Sequence, residues 1–498
     1  MDETDFFDEQ IYDHMSMSLR RYVALKAQEH TVGPGWPMIV SLACQTLGGR
    51  AEIGRLPSVF FGTAAILAIF FLVYYVFQAN LLNRAFWPAS FAALLTAISI
   101  PQIEFSQRMY PYATIPFLTT LIVIFHLMIV RAFQSDKLSI EKFSILAFLY
   151  ALISGFSIFI QMGFSIVIGG SFLVLLLLAR RLLKLNRQDR VIIVGISALA
   201  LLSIFLAWIG NAIHLPQSGY RPYLAPYYHQ FDFGAIFFLL TRAYDVFTYH
   251  LNLFYNGALY WPRNLNPALL PLVGICIFGW IYATSGKLGQ SAKHLSLLAI
   301  VYLILVAVLS LLRKYPFGGV RQTLLMAPFL ISFTAMGFYT LIQSRKLKMI
   351  GVAVAAVYLV LWAVNLPHFY KERIIPFDSR ELLTVWEQNG KLKVYTLSAS
   401  KDYIRYRLHK YPEIKIENLP YPLSIDQPFL LVSPWWAIED DLWLPRLQEQ
   451  IKKSGSNVNL VMKRPAKYPA KPEYIQSLYF PPNGLWVYKI SIDEKPGK

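Results

Sequence analysis

Residues 111–133 read PYATIPFLTTLIVIFHLMIVRAF, an apolar run whose one charged residue, Arg131, stands near its far end. Crossing the hydrocarbon core of a bilayer takes about 20 residues of helix, so the run predicts a membrane span with a basic flank. The same pattern recurs at about 57–77, 86–103, 143–160, 162–181, 190–212, 269–285, 294–312, 322–343 and 348–366, which makes about ten spans. Such a chain is a polytopic α-helical membrane protein.

Composition agrees with this. Of 498 residues, 56% are hydrophobic and 15% charged, too apolar for a soluble chain of that length. The net charge of +17 does not mark a nucleic-acid binder, because the basic residues form short clusters between apolar runs, the pattern that orients membrane helices. No nucleic acid is expected as a partner. Cys44 and Cys276 fall in separate apolar segments, which suits packing rather than a disulfide or a metal site.

The basic clusters assign sides. Arg84, the group Arg131, Lys137 and Lys142, the group from Arg180 to Arg190, the pair Lys287 and Lys293, and the group Arg345, Lys346 and Lys348 flank alternate loops, which are therefore cytoplasmic. The other loops, 104–110, the turn near 161, 213–268 and 313–321, face the opposite side with both termini. This parity requires that 233–255, FGAIFFLLTRAYDVFTYHLNLFY, does not cross. Its Arg242, Asp245 and His250 point the same way, since a charge at the bilayer centre costs at least about 2.5–3.5 kcal/mol. The segment is expected to be an outer-surface or re-entrant helix, with Arg242 and Asp245 spaced for an ion pair on one face.

Three regions follow: 1–56, an acidic outer loop with juxtamembrane helices; 57–366, the spans; and 367–498, where the sequence turns charged and proline-rich. In the last, DSRELLTVWEQNG predicts a helix stopped at Asn389-Gly390. Then KVYTLSA, SKDYIRYRLHKY, FLLVSP, DDLWLPRLQEQIKKSG, NVNLVM and GLWVYKISI predict strand, helix, strand, helix, strand and strand. That is a small soluble α/β domain, without a glycine-rich phosphate loop or a Cys-x-x-Cys pair. Trp435 and Trp436 in it read most simply as core rings.

The opening MDETDFFDEQIYD carries Asp2, Glu3, Asp5, Asp8, Glu9 and Asp13, unlike a secretory signal or a cytoplasmic flank. Met15 to Val23 has helical spacing for a surface helix, and the run from Trp36 to Leu47 is too short to span. The outer loops add Glu104 and Arg108 from SIPQIEFSQRMYPY, and Arg313, Lys314 and Arg321 from LLRKYPFGGVRQTLLMAP. Carboxylates and guanidinium groups thus gather on one side. A carboxylate can take the proton from an attacking hydroxyl, and an arginine fork can neutralise a departing phosphate. Acids so clustered allow a divalent metal without requiring one.

With Asp2-Glu3, the GPGWPMIVSL segment leading to LGGRAEIGRLPS, the FSQRMYPYA loop and the later FGGVRQTLLMAPFL, the chain resembles the bacterial GT-C glycosyltransferases. That class includes protein O-mannosyltransferases and lipid A aminoarabinose transferases. The resemblance covers most of the membrane part. It implies a GT-C-like fold in a bacterial inner membrane with the C-terminal domain periplasmic. It also implies transfer of a sugar from a polyprenyl-phosphate donor to a protein, lipid or glycan acceptor, without a nucleotide sugar at the site. The family's Asp-Glu pair falls on Asp2-Glu3, its Arg-Leu-Pro-Ser-like segment on Arg55 to Ser58, and its second loop on Phe105 to Tyr112, including Gln107 and Arg108. The later arginine falls on Arg321. Asp2, Glu3 and Glu104 are the expected catalytic acids; Arg55, Gln107, Arg108, Tyr112 and Arg321 are expected to bind substrate.

The chain departs from the family in two places. Arg108 stands where members often have Glu and Tyr110 where they often have Arg, so the nearest acid is Glu104. The helix that precedes the acidic pair in the family has no counterpart, which predicts that the chain begins downstream of it. Asp8-Glu9 is an alternative register; Asp2-Glu3 is preferred because it leaves Phe6 to Lys26 as one juxtamembrane helix. Two other functions stay open at this point. One is a transporter or flippase of lipid-linked sugars, which would use ionisable residues within the spans and broken, repeated helices; the other is a non-catalytic membrane assembly protein.

Overall fold

The computed structural model describes residues 35–47, 51–78, 85–106, 111–134, 139–178, 187–214, 229, 234–252, 269–319 and 321–373, and in the C-terminal part 383, 386–388, 390–396, 413–418, 429–434, 458–463 and 485–492. The chain divides into two compact units, one of them Met15–Pro367 and the other built chiefly from His368–Lys498.

The first unit is helical throughout. Its elements are α1 (Gly35–Leu47), α2 (Ala51–Gln78), α3 (Phe86–Ile98), α4 (Ile100–Ser106), a 3-10 turn Pro111–Ala113, α5 (Thr114–Gln134), α6 (Ile140–Ile160), α7 (Phe164–Leu178) and α8 (Arg187–His214). There follow α9 (Ala235–His250), α10 (Leu270–Thr284), α11 (Gln290–Leu311), a second 3-10 turn Arg321–Met326, α12 (Ala327–Gln343) and α13 (Lys348–Arg373). Every expected span has helix beneath it. Five stretches, Ile53–Phe77, Pro111–Gln134, Ile140–Ile160, Gln290–Leu311 and Gln322–Gln343, are long and apolar enough to cross a bilayer; Phe86–Ile98, Phe164–Leu176, Ile193–Ile209, Leu270–Thr284 and Lys348–Val364 are shorter apolar helices. This unit is a polytopic membrane bundle. The 16-residue α9 carries the Arg242–Asp245 pair and falls in neither group.

Several boundaries differ from expectation; α13, for one, runs to Arg373, past the expected end at 366 and into the region expected to begin at 367. Two differences fall in the motif segments. The span expected at 86–103 is two helices, because Ser99 is extended (φ −66°, ψ 122°) between α3 and α4. Pro101 follows in the first turn of α4, where its missing N–H costs nothing; continued as one helix, its ring would meet the carbonyl of Ala97. The second is α2, which starts at Ala51 rather than at residue 57, so Pro57 of the Arg55–Ser58 segment lies inside it.

Small residues set the closest approaches, as expected between membrane helices. A Cβ on Gly279 of α10 would lie 2.0 Å from the Phe333 carbonyl oxygen of α12, and one on Gly337 of α12 would lie 2.2 Å from the Ile275 carbonyl oxygen. Trp280 stacks on Phe333 beside this crossing (centroids 5.1 Å apart, planes within 6°) and donates from Nε1 to Ser296 Oγ at 2.8 Å. Both cysteines are buried thiols outside any disulfide, and Cys276 donates to the Leu330 carbonyl at 3.3 Å.

Contacts also sort the ends of the bundle. At one end Arg131 lies 5.8 Å over the Tyr75 ring and Gln134 meets His294 at 2.5 Å. At the other, Gly35 faces Phe159, Gly62 faces Ser106, and Gly163 faces the Tyr315 hydroxyl. Residues flanked by basic loops thus pair with one another, and residues flanking the motif loops do the same.

In the second unit five strands, β1 (Lys393–Thr396), β2 (Ile416–Asn418), β3 (Phe429–Pro434), β4 (Val458–Lys463) and β5 (Leu485–Ile492), form one sheet in the order β2-β1-β3-β5-β4. β1 is parallel to β2 and β3, while β5 is antiparallel to β3 and β4. Parallel neighbours need crossover connections; the helices expected at 400–411 and 440–455, and Trp435 and Trp436, lie outside the described residues. Val394, Phe429 and Leu430 are buried, with Phe429 edge-on to Tyr395. The stop expected at Asn389-Gly390 is a left-handed one: Gly390 has φ +71°, its N–H donates to Glu387 and that of Lys391 to Trp386. Sequence reading missed β2, whose EIKIEN alternates charge with isoleucine over a very short run.

Candidate functional site

The motif segments meet at one end of the helical unit. α2, with Arg55, Pro57 and Ser58 in its first turns, packs along α4 and along the turn Pro111–Ala113. Ser58 is fully buried, and Phe105 packs against Tyr112 with centroids 5.2 Å apart. Gly62 permits the approach, since a Cβ there would lie 2.5 Å from the Ser106 Cβ. The Arg55–Ser58 segment and the two flanks of the second loop, Phe105–Ser106 and Pro111–Tyr112, are therefore one packed unit.

Of the expected site residues, Arg55 is half-buried on α2 and Tyr112 is buried in the 3-10 turn. Glu104 lies on α4 and Arg321 opens the second 3-10 turn; their side chains are outside the described residues, as are Asp2, Glu3, Gln107, Arg108 and the alternative pair Asp8-Glu9. Among the described residues no group of three or more His, Cys, Asp and Glu could hold a metal ion.

What joins the Glu104 and Arg321 segments is the C-terminal end of α9, which the sequence reading left outside the site. Where α3 breaks, Ser99 Oγ donates to the His250 carbonyl at 3.2 Å and the Ile100 N–H donates to the Asn252 carbonyl at 3.1 Å. On the other side the His250 ring meets Thr323 Oγ1 at 3.3 Å. Thr323 donates its own proton to the Gly318 carbonyl at 2.8 Å, and Tyr315 donates to the Gln322 carbonyl at 2.6 Å. Gly319 lies against α9, where a Cβ would be 3.0 Å from the Asp245 carbonyl oxygen. The signal for this in the sequence was Arg242, Asp245 and His250 on one otherwise apolar helix.

The electrostatics of α9 are those of a partly dried site. Arg242 donates to Asp245 at 2.6 Å. Burial pushes the Asp245 carboxyl up to about 6, with Arg242 pulling against it. Burial likewise pushes the fully buried His250 imidazole down to about 3, so it is neutral at physiological pH. His250 Nδ1, Gln102 Nε2 and Gln322 Oε1 are buried atoms of these same segments that make no hydrogen bond among the described residues. Such groups can orient a polar substrate.

The described residues define a polytopic helical membrane bundle joined to a mixed β-sheet unit. No family model matches the sequence and no curated protein matches it. Among solved structures the chain is similar to ArnT from Cupriavidus metallidurans in the apo state, with 13% identity over 97% of this chain and 93% of that one and a TM-score of 0.46. It is similar to the same protein bound to undecaprenyl phosphate, with 13% identity over the same shares, 97% and 93%, and a TM-score of 0.47. A third is the oligosaccharyltransferase AglB from Archaeoglobus fulgidus in complex with an inhibitory peptide and a dolichol-phosphate, with 11% identity over 82% of this chain and 60% of that one and a TM-score of 0.43.

Proposed function

We propose that this protein is a membrane glycosyltransferase that moves a sugar from a polyprenyl-phosphate donor to an acceptor at the outer face of the inner membrane. The observation that carries the reading is that His250 of α9 is bonded on one side to Ser99, just before the α4 that bears Glu104, and on the other to Thr323 in the turn that opens on Arg321. The two flanking segments are distant in sequence, and one brings a carboxylate and the other a guanidinium group. An acid, Asp2 with Glu3 or else Glu104, removes the proton from the acceptor hydroxyl as that oxygen bonds to the sugar's C1. The bond from C1 to the phosphate breaks, and the lipid phosphate leaves with the electron pair against Arg321, whose fork suits it better than a lysine would. Arg55 and Tyr112 hold the α2 side of the site, Gln107 and Arg108 the loop side. The acceptor is a protein, lipid or glycan.

Transfer assays on the purified protein with a polyprenyl-phosphate sugar test this. Asp2→Asn, or Asp8→Asn in the alternative register, should lower the rate about 10²–10⁴-fold, the usual effect of removing a positioned acid–base group. Arg321→Ala should raise KM for the donor. Undiminished transfer in Asp2→Asn, Asp8→Asn and Glu104→Gln alike would remove the acid-base mechanism. The broken helix at Ser99, and His126 buried within the Pro111–Gln134 stretch, favour a transporter of lipid-linked sugars. A transporter moves its lipid intact, so release of free polyprenyl phosphate separates the two readings.

A further inference from the structure

The C-terminal end of α9 matches no motif, yet it is bonded on one side to the helix of Glu104 and on the other to the turn of Arg321. Both neighbours are weak alone. α4 has 7 residues and begins at a break, and 3-10 turns such as Arg321–Met326 have poorer hydrogen-bond geometry than α-helix. Each must find outside partners for its buried backbone and side-chain polar groups.

One residue supplies both sides. Because Thr323 gives its hydroxyl proton to the Gly318 carbonyl, its oxygen must accept from His250. The neutral imidazole therefore carries its proton on Nε2 and donates it to Thr323 at 3.3 Å. The main-chain carbonyl of the same His250 accepts from Ser99, and that of Asn252 accepts from Ile100. Gly319 brings the turn close to α9, since a Cβ there would lie 3.0 Å from the Asp245 carbonyl oxygen and 3.1 Å from the Tyr249 Cβ.

We propose that this end of α9 is a clamp that sets the spacing between the Glu104 helix and the Arg321 turn, and that His250 is a positioning residue for the donor phosphate. The second half rests on the reading of Arg321 given above; the first stands without it. Two substitutions isolate the bond. His250→Leu keeps much of the volume and removes the donor, whereas His250→Gln returns an N–H to the ε position.

The experiment uses the full chain in lipid nanodiscs. It reads amide hydrogen exchange over residues 99–106 and 318–326 and the binding of undecaprenyl phosphate. In His250→Leu, exchange should rise in both segments and binding should weaken about tenfold, the scale of one buried hydrogen bond. His250→Gln should restore both readouts to within about threefold. Unchanged exchange in either segment of His250→Leu overturns the clamp. If Arg321→Ala weakens binding but His250→Leu does not, despite faster exchange, the positioning role is wrong and the Arg321 reading survives. If neither weakens binding while exchange still rises, the clamp stands and the Arg321 reading falls. Should His250→Leu not fold, Ser99→Ala removes the bond from the α4 side; unchanged exchange over 99–106 there overturns the clamp equally.

Discussion

α10 and α9 both pack against the α12 region, and they do so by opposite means. α10 approaches through missing side chains: at Gly279 and Gly337 the two backbones come so near that no Cβ fits between them. α9 approaches through a polar contact, the His250 ring against Thr323 in the turn before α12. Its N-terminal half leaves Ile236, Phe237 and Leu240 exposed by 72%, 76% and 67%, a surface suited to lipid. The difference teaches that the α10–α12 crossing is set by shape and the α9–Thr323 contact by a hydrogen bond. Shape tolerates no added volume but ignores pH; polar contacts tolerate volume and respond to it.

The largest effect should come from Gly279→Ala. The added methyl would start 2.0 Å from the Phe333 oxygen and 2.5 Å from the Gly337 nitrogen, so two backbones must separate. A loss of more than about 3 kcal/mol is expected, at or beyond the upper end for overpacking, read as loss of monodisperse protein and a much lower Tm. An unchanged Tm would mean that the α10–α12 crossing is not held by shape.

Asp245→Asn should give a smaller effect that depends on pH. The folded carboxyl lies near 6, against an ordinary value of 3.8. Between those values the folded state keeps a proton that the unfolded state has lost, so stability falls as pH rises through the window. His250 works in the opposite sense, losing stability as pH falls below the ordinary imidazole value of 6.5 toward about 3; this contribution is common to both proteins and cancels in the difference. The Tm of the parent minus that of Asp245→Asn should therefore be larger at pH 5 than at pH 7. Parallel Tm curves would show that Asp245 is not buried as described.

Gly274→Ala should give the smallest effect. It lies on the same α10 as Gly279, but a Cβ there meets nothing within 4 Å. Replacing a helical glycine should then stabilise by roughly 0.5–1 kcal/mol, visible as a slightly raised Tm. A marked loss would show that close packing extends along α10 beyond the crossing.

The sequence made the bundle legible because apolar run length is a strong and local signal. Residues 111–133 or 348–366 need no partner to declare themselves. The stop at Gly390 was legible for the same reason, since left-handed backbone demands its own residue type. β2 was not, because its few residues gain strand character only from pairing with β1. The break at Ser99 could be anticipated from Pro101, but its partner could not: the His250 carbonyl it bonds is a main-chain atom that no motif encodes. His250 and Thr323 were missed for a related reason. Each is unremarkable alone and acquires a role only through contact across the bundle.

The break at Ser99 also fixes a depth. α3 begins with Phe86 and Trp87, the latter 76% exposed, as befits a ring at a membrane–water interface. Its 13 residues rise about 20 Å, whereas the hydrocarbon core is about 30 Å thick. Ser99, His250 and Asn252, all buried, accordingly sit where the helix stops short of the about 20 residues that a full crossing takes. The break thus sets a cluster of buried polar groups partway along an expected span rather than at its end.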